Sequence, residues 1–215
     1  MVVMARLPLI RSKYLPYHVT SRSNNQEWFY LPMEELWPLF LSALQIAQLT
    51  TDVEIHNFVL MSNHYHILLR TPLENLDQFQ WEFARHFTKE VQKATNRVNH
   101  IFGGRYKWSM INDHRYFYQV YKYIYLNPVK ARVVSEFAQY PYSSWRLKDD
   151  TPIDHPTLSD AMVEEFGRLE TKQWIDQHYS ADQTLSLKRG LRFREFKPAK
   201  VRNTRELPQI NTPSP

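Results

Sequence analysis

VEIHNFVLMSNHYHILLR, residues 53–70, holds two short runs of alternating or continuous apolar character on either side of Ser62-Asn63. Val53–Met61 and His64–Arg70 are rich in β-branched and aromatic residues and too short for helices, so each predicts a strand. Ser62-Asn63 is turn chemistry, and the pair therefore predicts a hairpin. In the second strand Tyr65, Ile67 and Leu69 leave one face and His64 and His66 the other, because side chains alternate along an extended chain. One face is committed to a core and the opposite one carries two imidazoles.

The flanking sequence extends this pattern. Tyr17–Arg22 (YHVTSR) alternates and predicts a strand, followed by the polar loop Ser23-Asn24-Asn25-Gln26. Met33–Leu49 has Leu36, Phe40, Leu44 and Ala47 on one helical stripe. Pro38 falls inside it, so the helix either starts near Trp37 or bends there. Leu73–Arg97 predicts a long amphipathic helix, with Leu76, Phe79, Phe83, Phe87 and Val91 aligned. Arg105–Ile111 predicts a fourth strand, and Asp113 a cap on a helix from about His114 to Leu126, which Pro128 ends. Beyond it lie an irregular stretch over 129–150, short helices near 157–166 and 170–178, and a basic run Leu187–Lys200. The order β-α-β-β-α-β-α predicts an α+β fold, a mostly antiparallel sheet with helices packed on it. The expected organisation is one domain over 1–150, a basic C-terminal extension with short helices over 151–200, and a loose polar tail over 201–215.

Composition narrows the chemistry. The 215 residues are 43% hydrophobic and 23% charged, a globular balance. There is no cysteine, which removes disulfides, thiolate nucleophiles and thiolate metal sites. No apolar run approaches the roughly 18 residues of a membrane span, and Met1–Arg11 lacks the apolar core of a signal peptide. A cytoplasmic protein without membrane attachment is expected. The net charge of +5 and an aromatic share of 14% suit a polyanion whose bases can stack on aromatic faces.

Two constellations bear chemistry. His64 and His66, two apart on a strand, stand roughly 6–7 Å apart at Cα and can converge on one ion. The same spacing also occurs in ordinary strands, and two ligands alone do not make a site. The segment Tyr116–Pro128 (YFYQVYKYIYLNP) has aromatic rings on every helical face, most of them packing. Tyr123 and Asn127 lie one turn apart on one face, with Gln119 a turn earlier, so a phenol and an amide oxygen could both reach a metal on a neighbouring strand.

Several segments together resemble the single-tyrosine HUH transposases, and within them the REP-associated tyrosine transposases. They are Pro16–Arg22, Met61–Leu69 (MSNHYHILL), Gly104–Lys107, Tyr123–Ala131 (YIYLNPVKA) and Pro141–Ser144, in that order, over about residues 5–147. The resemblance implies the ferredoxin- or RRM-like HUH fold, with His64 and His66 as metal ligands, Asn127 as the third ligand and Tyr123 as the nucleophile. It implies Mg²⁺ or Mn²⁺ as the cofactor and single-stranded DNA hairpins of the REP type as the partner, bound by a monomer or homodimer. Many relatives use Gln in place of Asn127 and His in place of Tyr125, and a glycine in place of Ser23.

The expected activity is metal-dependent cleavage and transfer of single-stranded DNA through a 5′-phosphotyrosine. The alternative is a domesticated hairpin DNA- or RNA-binding protein that does not cut. Arg11, Lys13, Arg22, Arg105, Lys107 and Lys122 are the expected phosphate contacts, with Lys188–Lys200 adding affinity.

Overall fold

The computed structural model describes residues 8–147 and 154–200. The expected boundary near 150, the tail over 201–215 and the start of the basic N-terminal arm lie outside the described residues.

Four strands, β1 (Tyr17–Arg22), β2 (Glu54–Met61), β3 (His64–Arg70) and β4 (Lys107–Met110), form one sheet in the order β2-β3-β1-β4. Every neighbouring pair is antiparallel. Helix α1 (Met33–Thr51) links β1 to β2, and α2 (Leu76–Thr95) links β3 to β4. This is the βαββαβ order of ferredoxin-like folds. α1 and α2 pack on each other over one face of the sheet. Their stripes bury Leu36, Phe40, Leu44, Phe79, Phe83 and Phe87 against Tyr17, Val19, Phe58, Tyr65, Ile67 and Leu69. Each fully buried ring or branched chain contributes about 1.5–3 kcal/mol.

The opposite face is covered by α3 (His114–Tyr125). Asp113 caps α3 by accepting from Arg115 N. Leu126 interrupts it before the single turn α4 (Asn127–Lys130), with Pro128 at the start of that turn. Three further helices, α5 (Ala161–Phe166), α6 (Arg168–Asp176) and α7 (Ala181–Gly190), complete this layer. Met162, Trp174, Ile175, Leu187 and Phe196 share one cluster with Val59, Met61, Leu68 and the rings of α3. Among the described residues no helix is long and apolar enough to cross a membrane.

Two expectations need correction. Of the two alternatives for the Met33–Leu49 pattern, the later start near Trp37 does not hold: α1 begins at Met33, and Pro38 lies past its first turn. The helix continues through it because Leu36, Trp37, Phe40 and Leu41 are all buried there, which offsets the lost backbone bond. The stretch around Leu187, expected only to be basic, is the end of a regular helix opened by a capping box between Ser180 and Gln183.

Both sheet edges are closed by later chain. Beside β2, Leu60 N donates to Tyr142 O at 3.0 Å, and Ser144 Oγ accepts from Phe58 N at 2.9 Å. Beside β4, Met110 N donates to Arg194 O and Phe196 N to Met110 O, both at 2.8 Å.

Candidate active site

The face beneath α3 is organised in cross-strand rows. Met61, His64 and Arg22 form one, and Val59, His66, Thr20 and Lys107 the next. Leu68, His18 and Ser109 form the third. His18, Thr20 and Arg22 thus emerge on the histidine face for the same reason that Tyr17 and Val19 enter the helical core: successive side chains alternate.

The two predicted imidazoles are adjacent, ring centroids 5.1 Å apart and nearly perpendicular. Each has its Nδ1 engaged. His64 Nδ1 is 2.7 Å from Asn63 Oδ1, and His66 Nδ1 is 2.8 Å from His18 Nε2. The bond to Asn63 makes His64 Nδ1 the donor and leaves Nε2 with its lone pair. His66 reaches the same state when it donates to His18. Burial pushes the His64 pKa down to about 4, helped by Arg22 and Lys188. It lowers His18 to about 3 and His66 well below its ordinary value. All three rings are therefore neutral at pH 7.

α3 places Tyr123 on this cluster. Its ring meets His66 edge-on at 5.9 Å and His18 at 6.3 Å. The side chain is 6% exposed, and among the described residues its hydroxyl makes no hydrogen bond. Burial pushes the phenol up to about 12, against the pull of Arg192 and Arg22. The Lys130 ammonium from α4 lies over the ring, 4.0 Å from its centroid.

Asn127 is one turn beyond Tyr123, as its spacing requires. Its amide nitrogen is turned back onto its own helix, donating to Tyr123 O at 2.9 Å and Ile124 O at 3.2 Å. The amide oxygen is the end left to act as a ligand. Among the described residues no group of three or more His, Cys, Asp or Glu side chains could hold a metal ion. The donor set on hand is two neutral imidazoles with Nε2 available, which fits a divalent ion only with an amide or substrate oxygen added.

The expected phosphate contacts separate into groups. Arg22 aligns with His64, and Lys107 sits at the β4 end of the His66 row. Arg11 forms a bidentate pair with Asp77 at the start of α2, so its charge is already matched. Lys13 lies over Tyr14 and Arg105 over Tyr106. Lys122 corrects the expectation: it is 3% exposed and its ammonium donates to Trp174 O at 2.6 Å. Burial lowers its pKa to about 8. It is a buried brace between α3 and α6, out of reach of a phosphate backbone.

His18, Asn63 and Lys130 are site residues the sequence reading missed. The signal for His18 was the alternation of Tyr17–Arg22, which puts it on the same side as His66 once β1 pairs with β3. Nothing local marks Lys130, whose position depends on the break at Leu126.

Among solved structures, the chain is similar to a REP-associated tyrosine transposase bound to a REP hairpin. The identity is 21% and the TM-score 0.53, over 66% of this chain and 82% of that one. It overlaps more weakly with a candidate transposase from Deinococcus radiodurans, at 14% identity and a TM-score of 0.38, over 57% of this chain and 95% of that one. The first likeness establishes the shared α+β fold; the second carries no argument. No protein-family model matches the chain, and no curated protein does either.

Proposed function

We propose that this protein cuts and rejoins single-stranded DNA, with the Tyr123 hydroxyl as nucleophile. The observation that carries the reading is the contact of the Tyr123 ring with His66, whose neighbour is His64. A phenol, two neutral imidazoles and several cations converge on one sheet face, and the fold is shared with a transposase bound to a REP hairpin. A hairpin of that type is the proposed substrate.

In the proposed reaction, Tyr123 Oη attacks phosphorus in line, the Oη–P bond forms and the P–O3′ bond breaks. The phenolic proton goes to solvent, and the leaving 3′ oxygen takes a proton from solvent to become a hydroxyl. The phosphotyrosine keeps the bond energy, so a second 3′-hydroxyl can reverse the step without another energy source. His64 and His66, with the Asn127 oxygen, would hold Mg²⁺ or Mn²⁺. Such an ion supplies positive charge beside the scissile phosphate. Asn63 holds His64 in the tautomer that leaves Nε2 free, and His18 does the same for His66 when it accepts from His66 Nδ1. α3 supplies the close approach of nucleophile and site, which replaces a bimolecular encounter.

A labelled single-stranded hairpin, incubated with the protein and Mn²⁺ and run on a denaturing gel, tests this. The expected result is a covalent protein–DNA adduct, lost in Tyr123→Phe and in excess chelator. Cleavage by Tyr123→Phe would overturn the assignment.

One observation favours the non-cutting alternative. Tyr123 is nearly inaccessible, and its raised pKa keeps the phenol protonated. In that reading the same face binds the hairpin, and tight binding without any adduct distinguishes it.

A further inference from the structure

We propose that α7 and the turn after it complete a phosphate-binding rim around Tyr123, with Lys188 and Arg192 taking backbone phosphates of the single strand. This rests on the strand-cutting reading and adds to it a segment outside the HUH-like core.

The segment is fixed in place beside the site. α7 packs on α3. Just before α7, the Tyr179 hydroxyl donates to Gln119 O and Gln119 Oε1, one turn ahead of Tyr123. Just after it, Gly190 passes so close to Lys197 that a Cβ would collide with the Lys197 carbonyl. Residues 194–196 then bond to Met110 at the edge of the sheet. Lys188, in the last turn of α7, and Arg192, just beyond it, therefore stand on a fixed segment.

Charge completes the case. Lys188 lies within electrostatic reach of His64 and Lys130, and Arg192 within reach of Tyr123. The charged groups acting on His64 and Tyr123 are all cationic: Arg22, Lys188 and Arg192. Some cations away from this face are matched by acids, as in Arg11–Asp77, Arg70–Glu54 and Lys172–Asp176. Among the described residues, Arg22, Lys130, Lys188 and Arg192 form no ion pair. Lys188 and Arg192 are exposed. Unmatched cations around a buried neutral cluster repel one another. A chain of phosphates, one negative charge per nucleotide, removes that repulsion.

The test measures binding in the full chain carrying Tyr123→Phe, so that no chemistry intervenes. A fluorescent single-stranded DNA is titrated at several salt concentrations, against Lys188→Ala with Arg192→Ala. Loss of two contacts should lower the salt slope by about 1.4, at roughly 0.7 per phosphate neutralised on a single strand. Affinity should fall at least tenfold at low salt, and Lys188→Arg with Arg192→Lys should restore it. Lys93→Ala, on the exposed side of α2, should change neither quantity. An unchanged slope and affinity in the double variant overturns the rim. Adduct formation is measured separately on the chain with Tyr123 intact. Its failure removes the nucleophile and leaves the rim to be judged on binding alone.

Discussion

At the residue scale, His18 shows how a site can depend on a group that does no chemistry. Its ring is buried against His66 and bonded to it, which sets the orientation of the His66 imidazole, the proposed ligand. Removing such a supporting partner commonly costs 10–100-fold in metal affinity. His18→Phe, which keeps an aromatic ring and removes the acceptor, should weaken Mn²⁺ binding by that factor in calorimetry, with an unchanged circular dichroism spectrum. Unaltered Mn²⁺ affinity would sink this role. Asp160 makes a different prediction. Burial raises its pKa to about 6, against the Tyr121 hydroxyl, the Val163 amide and Arg168, which favour the charged form. Between about pH 4 and 6 the folded state keeps a proton that the unfolded state has lost. Stability therefore falls as pH rises through that window, by on the order of 1–3 kcal/mol. Asp160→Asn keeps the cap on α5 and should flatten that part of the profile. Melting curves of both proteins from pH 4 to 7 make the comparison, and parallel profiles would refute the assignment.

Elements were legible where burial has one period and less so where it competes with a local rule. Strands β1 and β3 and helix α2 followed directly from alternation and from the Leu76–Val91 stripe. α1 did not, since Pro38 argues for a later start and only the packing of Trp37 and Phe40 settles the matter. α7 was missed because its basic residues mask the buried Ser186, Leu187 and Gly190. Of the candidate site, His64 and His66 were marked by alternation, and Tyr123 was named only through the family resemblance. The inward turn of Lys122 could not be foreseen, because nothing in YFYQVYKYIY says which face meets Trp174. Gly190 supplies the prediction at this scale. With its close neighbour being backbone, Gly190→Ala cannot be relieved by a rotamer change. It should cost about 1–3 kcal/mol in urea unfolding. A neutral result would mean that the α7 turn yields easily.

Across the whole molecule, the sheet is covered on both faces, by α1 and α2 on one side and by α3 with the C-terminal helices on the other. The central strands β1 and β3 are paired on both edges as well. Local opening cannot expose their amides without separating one of the two layers. Hydrogen exchange should therefore be slowest in peptides covering 17–22 and 64–70, with protection approaching that of global unfolding. Faster exchange at 64–70 than in α2 would contradict this picture. The sequence conveys the first layer well, because its helices lie between the strands they cover. The second is assembled from segments far along the chain, and no local pattern records that Phe196 packs on Tyr116.

The closure of the two sheet edges has a consequence for synthesis. The guards of β2 and β4 are residues 142–144 and 194–196, and both are made after the strands they protect. While translation proceeds, the hairpin and β4 have open hydrogen-bonding edges, which template pairing between neighbouring nascent chains. A protein stopped before residue 194 should aggregate even with every site residue present.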